Sequence, residues 1–235
     1  MPDRGERLRA ARLYLVCDEQ ADEFLEAVLA AGVDVLQLRM KDRSDTAIVA
    51  AARRFARAAA HFGVLFILND RPDLVAETGA DGVHVGQDDA RVEGARALVG
   101  SDRLVGLSTH SPRQIDAVAS LPVDYIGVGP VHATPTKPGR PAVGLELVRY
   151  AAQHARVPFF AIGGITPANV QTVREAGAER IAVVRALTGA VDPMAEARTL
   201  REAVTAHDPA AGGPIGHDEA VGDPAAHDEV GVGRA

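Results

Sequence analysis

Phe159-Phe160-Ala161-Ile162-Gly163-Gly164-Ile165-Thr166-Pro167 opens a stretch that closes on Ile181-Ala182-Val183-Val184-Arg185, and its grammar decides the fold. A short apolar run of strand length ends in a glycine pair. Thr166-Pro167 then reads as an N-cap with proline at the first helical position, where a missing N–H costs nothing. The predicted helix, 167–176, stops at Ala176-Gly177, and a second apolar run starts at Ile181. Strand, helix and strand in this order make a βαβ unit.

The same pattern repeats upstream. Strand-length apolar runs stand at 13–17, 33–39, 64–69, 82–85, 104–107 and 125–128, which with 159–162 and 181–184 makes eight. Helical segments are expected at 22–31, 45–61, 91–99, 112–119, 145–154 and 193–206, with Ser44, Ser111 and Asp192 as N-caps. Eight alternations in residues 13–205 predict an α/β fold, a single (β/α)₈ TIM barrel. A doubly wound open sheet is the rival, but no Gly-x-Gly-x-x-Gly follows the first strand. Residues 1–12 read as an N-terminal extension. Residues 206–235, rich in Pro, Gly and acids without apolar periodicity, are expected to be a disordered tail.

Composition narrows the function classes. With 47% apolar but only 4% aromatic residues and no Trp, the core must be built from aliphatic side chains, which suits buried parallel strands. No run reaches the ~18 apolar residues of a membrane span. The charged start, Met1 to Arg7, lacks a secretory apolar core. Cys17 is the only cysteine, so an intrachain disulfide is ruled out. A soluble cytoplasmic enzyme is expected, with no membrane partner. Most of the net charge of −7 falls in the last 30 residues, where six acids face one base; the nearly neutral body carries no nucleic-acid footprint. Of 25 basic residues only Lys41 and Lys137 are lysine. An ammonium is a compact point charge where guanidinium is a planar fork, so these two positions mark candidate sites for a small cation.

In a barrel the chemistry sits at the C-terminal ends of the strands. Gln37-Leu38-Arg39-Met40-Lys41 ends the second strand, and period two sends Gln37, Arg39 and Lys41 to one side, an amide and two cations suited to an anion. The third strand runs into Asn69-Asp70 and the fourth into Gly86-Gln87-Asp88-Asp89. Acids at adjacent strand ends can share a hard cation such as Mg²⁺ together with substrate phosphates; alternatively Asp70 and Asp88 cap helices. Ser108 ends the fifth strand. After the sixth comes a proline-rich loop, 131–141, holding Lys137, whose length suits a flap. The Gly163-Gly164 turn and the end of the eighth strand occupy the recurrent phosphate position of such barrels. Two anion sites over one barrel point to a transfer between two small phosphorylated substrates.

Taken together, Gln37-Leu38-Arg39-Met40-Lys41, Asn69-Asp70, His84-Val85-Gly86-Gln87-Asp88-Asp89, Ser108, Thr134-Pro135-Thr136-Lys137-Pro138 and Gly163-Gly164-Ile165-Thr166 resemble the thiamine-phosphate synthase (thiamine-phosphate pyrophosphorylase) family over about 13–206. The resemblance implies a barrel enzyme that condenses 4-amino-2-methyl-5-hydroxymethylpyrimidine diphosphate with a thiazole phosphate, giving thiamine phosphate and pyrophosphate. It implies that Gln37, Leu38, Arg39, Met40, Lys41, Asn69, Ser108 and Lys137 bind the pyrimidine diphosphate. Asp70 and Asp89 would bind Mg²⁺. Thr134, Pro135, Thr136, Gly164, Val184 and Arg185 would hold the thiazole phosphate. Arg185 departs from the family pattern, which has a small hydroxylated residue there. Arg39, Lys41, Ser108 and Lys137 are the implied catalytic groups. With pyrophosphate as leaving group and an electron-donating pyrimidine, a carbocation-like displacement needs no protein nucleophile, so His84, His110 and His132 are expected in hydrogen-bonded structural roles. A thiazole tautomerase of the same barrel type is the alternative, and a Schiff-base aldolase using a lysine is a second; neither needs the diphosphate residues or metal.

Overall fold

A computed structural model of the chain describes residues 3–89, 91–134 and 141–206. The expected tail, apart from Ala206, and Pro135, Thr136 and Lys137 of the loop lie outside the described residues.

Eight strands, β1 (Leu13–Cys17), β2 (Val35–Leu38), β3 (Leu65–Asn69), β4 (Gly82–Val85), β5 (Leu104–Thr109), β6 (Tyr125–Val128), β7 (Phe159–Ile162) and β8 (Ile181–Val183), form a closed parallel barrel in sequence order. Closure is made by β1 against β8, with Leu13 beside Ile181 and Leu15 beside Val183. The outer ring holds α2 (Asp22–Ala30), α3 (Asp45–Phe62), a short turn of helix α4 (Val75–Thr78), α5 (Val92–Val99), α6 (Pro112–Ala117), α7 (Gly144–His154), α8 (Val170–Glu175), α9 (Arg185–Thr188) and α10 (Pro193–Thr205), which follow α1 (Arg4–Ala10). Ser44, Ser111 and Asp192 cap α3, α6 and α10 through their side chains, as expected.

Period two divides the strands between two cores. Leu13, Leu15, Leu36, Leu38, Phe66 and Leu68 face the helices, while Tyr14, Val16, Val35, Leu65, Ile67, Tyr125 and Phe160 fill the barrel. Glycine is required inside the barrel at Gly106. A Cβ at Gly106 would fall 2.2 Å from Cζ of Tyr125 and 2.5 Å from Nδ1 of His84, so the missing side chain makes room for two large polar ones.

The lower, N-terminal rim is fastened by carboxylates. Asp34, Asp81 and Asp124 each stand just before an even-numbered strand and accept a backbone N–H from the strand before it. Asp34 takes Arg12 N at 2.7 Å and Leu13 N at 3.0 Å, Asp81 takes Phe66 N at 3.0 Å, and Asp124 takes Val105 N at 2.7 Å. Each also pairs with a guanidinium: Arg201, Arg4 and Arg96 respectively. Helix α1, inside what was expected to be a plain extension, closes this end. A capping box between Asp3 and Glu6 starts it, and Leu8 is buried against the interior cluster.

One predicted boundary is wrong for a clear reason. The helix expected at 167–176 begins at Val170. Asn169 Oδ1 accepts Thr166 N at 2.8 Å and its Nδ2 donates to Gly164 O at 2.9 Å. Residues 164–169 are thus spent closing the glycine turn rather than starting the helix, and Thr166 does not cap it.

Candidate active site

The upper ends of the strands surround a cavity of about 140 Å³. Its floor is polar and buried. Gln37 from β2, Tyr14 from β1, Tyr125 from β6, His84 from β4 and Ser108 from β5 all line it. Asn69 ends β3 on the same side, and Phe160, Ile162 and Ile165 make the apolar wall. Tyr14, Tyr125, His110 and Phe160 were absent from the sequence-derived site. The tyrosines resemble ordinary core residues in the sequence, and the mid-strand Gly106 was the one local sign that something large crosses the barrel there.

Arg39 lies where β2 opens to the surface. It lines both the cavity and a neighbouring hollow bordered by Met40, Lys41, Arg43, Asp18 and Glu19. Gln37, Arg39 and Lys41 therefore reach the site region, as alternation requires. Leu38 points the other way. It is fully buried in the core beneath the helices, so its side chain is not available to a ligand in the cavity.

Lys41 Nζ lies 3.4 Å from Asp70 Oδ2, and Asn69 Nδ2 donates to the same oxygen at 2.5 Å. Asp89 stands near enough to Asp70 for its charge to act on that carboxyl, and it accepts Gly86 N at 3.1 Å. Neither Asp70 nor Asp88 caps a helix through its side chain: Arg71 precedes the 3₁₀ turn Pro72–Leu74 and Arg91 precedes α5. Asp70 instead adopts φ +58°, an uncommon conformation that Asp tolerates better than most residues. Burial first, and the Asp89 charge second, raise its carboxyl above the ordinary carboxylate value, while Lys41 pulls it down. Two carboxylates pressed together, all-oxygen donors with no thiolate or imidazole between them, fit a hard divalent cation. No three His, Cys, Asp or Glu side chains converge among the described residues. Two protein carboxylates, with water and substrate phosphate completing the shell, is the arrangement Mg²⁺ favours.

The opposite wall is built from the loops after β6, β7 and β8. Val131 N donates to Ile162 O at 2.9 Å and His132 N to Gly163 O at 3.0 Å, which zips the base of the β6 loop to the glycine turn. Thr134, Gly164, Val184 and Arg185 line the cavity on this side. Neither guanidinium, of Arg39 or of Arg185, has a hydrogen bond or ion pair among the described residues, so a cation stands uncommitted at each end of the cavity. His84 and His110 are hydrogen-bonded, His84 to Tyr125 and Ser108, His110 to Gly129 O. His132 is not as expected: its buried Nε2 has no partner among the described residues.

The family model described as thiamine monophosphate synthase matches residues 13–187. The chain belongs to the thiamine monophosphate synthase family. It is 50% identical over 199 residues to a thiamine-phosphate synthase of Thermus thermophilus, covering 81% of this chain and 96% of that one. It is 49% identical over 193 residues to that of Gloeobacter violaceus, covering 81% of this chain. The chain spans 57% of the Gloeobacter protein's length. Among solved structures, thiamine phosphate pyrophosphorylase from Pyrococcus furiosus superimposes with a TM-score of 0.77 at 27% identity, over 85% of this chain and 96% of that one. The matched span of the thiamine monophosphate synthase family contains all eight strands and both ends of the cavity.

No helix among the described residues is long and apolar enough to cross a membrane.

Proposed function

We propose that this protein is a Mg²⁺-dependent thiamine-phosphate synthase, joining 4-amino-2-methyl-5-hydroxymethylpyrimidine diphosphate to the thiazole phosphate 4-methyl-5-(2-phosphooxyethyl)thiazole or its carboxylated tautomer and releasing pyrophosphate. The observation that carries the reading is the pair of anion sites on one cavity. Arg39 lines one end of it, with Lys41 in the adjoining hollow and held against Asp70 beside Asp89, and the Gly163–Gly164 turn with Arg185 lines the other.

Asp70 and Asp89 would hold Mg²⁺. When bound, the ion supplies charge neutralisation of the diphosphate as it leaves. Arg39 and Lys41 add fixed positive charge at the same end, where negative charge grows as the methylene–oxygen bond breaks. Lys137, outside the described residues, is assigned to the same task from the sequence resemblance. Gln37, Asn69 and Ser108 orient the pyrimidine over the floor. Thr134, Gly164, Val184 and Arg185, with Pro135 and Thr136 from the resemblance, hold the thiazole phosphate so that its ring nitrogen faces the methylene carbon. Backbone N–H groups of the glycine turn suit the phosphate, and Arg185 can grip it with two donors. The buried tyrosines and apolar wall keep water from the electron-poor carbon, which the thiazole nitrogen must reach first.

The test mixes both phosphorylated precursors with Mg²⁺ and follows pyrophosphate release and thiamine phosphate together. Stoichiometric appearance of both is expected. Interconversion of thiazole tautomers without pyrophosphate would overturn the transferase in favour of the isomerase, and turnover in excess chelator would remove the metal.

A further inference from the structure

Under the cavity, five side chains from five strands form one hydrogen-bonded line. Gln37 Nε2 donates to Tyr14 Oη at 2.6 Å. Tyr14 Oη lies 3.0 Å from Tyr125 Oη, which lies 3.2 Å from His84 Nδ1. His84 Nε2 lies 3.0 Å from Ser108 Oγ. Phe160 wedges edge-on against both tyrosine rings, with centroids at 5.1 and 5.8 Å, and Gly106 leaves the gap in which Tyr125 and His84 meet. The line is fixed by packing at every link.

The donors can be arranged in one order that strands no proton. Gln37 presents amide hydrogens to Tyr14, so Tyr14 must accept there and give its own proton to Tyr125. Tyr125, having accepted, gives its proton to His84 Nδ1. The imidazole is then protonated at Nε2 and donates to Ser108 Oγ. Ser108 lines the cavity and its hydroxyl has no other side-chain partner among the described residues, so its own proton is left for a group bound there. In the reverse order His84 would give Nδ1–H to Tyr125, and the Tyr14 proton would be buried with no acceptor, the costlier state. Burial raises both phenols far above their ordinary value, so both remain neutral donors throughout the usable pH range.

We infer that Tyr14, Tyr125 and His84 are positioning residues for the transfer reaction, a relay that fixes Ser108 as a hydrogen-bond donor toward an acceptor atom of the substrate. The relay imposes direction from Gln37 to Ser108. Without it the hydroxyl could turn lone pairs toward an electron-rich ligand and repel it.

The kinetic arm of the test rests on the proposed transfer reaction; the spectroscopic arm does not. In wild-type protein carrying ¹⁵N-histidine, long-range ¹H–¹⁵N correlations should show His84 as the Nε2–H tautomer, assigned by the signal that His84→Gln removes. An Nδ1–H tautomer would overturn the relay whether or not the enzyme makes thiamine phosphate. Tyr125→Phe keeps the ring and removes one oxygen. It should lower kcat about tenfold, the worth of one buried hydrogen bond, and change KM less. In a Ser108→Ala background the same substitution should cost less than about twofold, because its effect runs through Ser108. A further full tenfold loss in that background would show a structural effect and overturn the relay. If Tyr125→Phe does not fold, Tyr14→Phe interrupts the line one link earlier and is read in the same cycle. Absence of pyrophosphate release from the wild type would instead fell the transferase reading, with the tautomer still deciding the relay.

Discussion

Lys41 Nζ stands 3.4 Å from Asp70 Oδ2, so one of only two lysines in the chain is held against a carboxylate assigned to Mg²⁺. A point charge fits between a carboxylate, a neighbouring Arg39 and an incoming diphosphate; a planar fork does not. Lys41→Arg keeps the charge and should still lower kcat by ~10²-fold, roughly 2.7 kcal/mol of transition-state stabilisation, with a smaller change in KM. Lys137→Arg should behave alike. Wild-type turnover in both variants would show that the ammonium is not needed.

Asp70 gives a pH prediction with a definite sign. Its carboxyl is raised by burial and by Asp89, so the native state holds the proton more readily than the unfolded chain. Stability contributed by this group is therefore lost as pH rises from the ordinary carboxylate value through the raised one. At pH 7 the metal-free protein carries that cost, and Asp70→Asn should raise its Tm while abolishing the Tm increase on adding Mg²⁺. Apparent Mg²⁺ affinity of the wild type should weaken as pH falls through the raised value. A lower metal-free Tm for Asp70→Asn would show that the Lys41 pair outweighs burial.

Gly164 combines φ +63° with contact, since a Cβ there would lie 2.7 Å from His132 Cβ and 3.1 Å from Ala133 O. Gly164→Ala should cost about 1–3 kcal/mol through crowding alone, and strain at positive φ adds to that. It should raise KM for the thiazole phosphate and leave KM for the pyrimidine diphosphate near its wild-type value. Equal changes in both would separate the turn from the thiazole end.

At the lower rim the effect should be confined to stability. Asp81→Ala removes the acceptor of Phe66 N and the partner of Arg4. Losing a charge-assisted bond of this kind costs about 1.5–3 kcal/mol. Thermal unfolding should shift down by several degrees with kcat/KM unchanged.

Strand number and order were legible because each strand is an aliphatic run between helical segments, and the barrel needs nothing else. The mouth was legible wherever chemistry-bearing residues sit on or just past a strand end: Gln37, Arg39, Lys41, Asn69, Asp70 and Ser108 all fall at the upper rim. Leu38 was included only as a neighbour within its motif, and alternation turns it outward. The floor was not legible. Tyr14 and Tyr125 are separated by 111 positions, and only barrel closure makes them partners. Helix α1 was missed because a single buried leucine, Leu8, cannot make a periodic signal. The α8 start was misread because Asn169 competes for the backbone that Thr166-Pro167 would have helped to cap.

Asp34, Asp81 and Asp124 tie β1 to β2, β3 to β4 and β5 to β6, and no such side chain bridges β2 to β3 or β4 to β5 among the described residues. The ring is continuous in its backbone ladder, but its carboxylate fasteners join the strands in pairs; between β4 and β5 the rim is held by guanidinium groups instead, Arg103 Nε donating to Ala80 O at 3.2 Å and Arg4 Nη1 to Asp102 O at 3.3 Å. It has seams. A chain divided between Gly100 and Ser101, in the bottom turn before β5, keeps every aspartate with the strand pair it fastens, and its two pieces should reassemble when coexpressed. A division between Ala80 and Asp81 sends one fastener away from its strand, and the pieces should recombine poorly. The route by which this barrel can be cut, permuted or rebuilt is thus marked at the end opposite its chemistry.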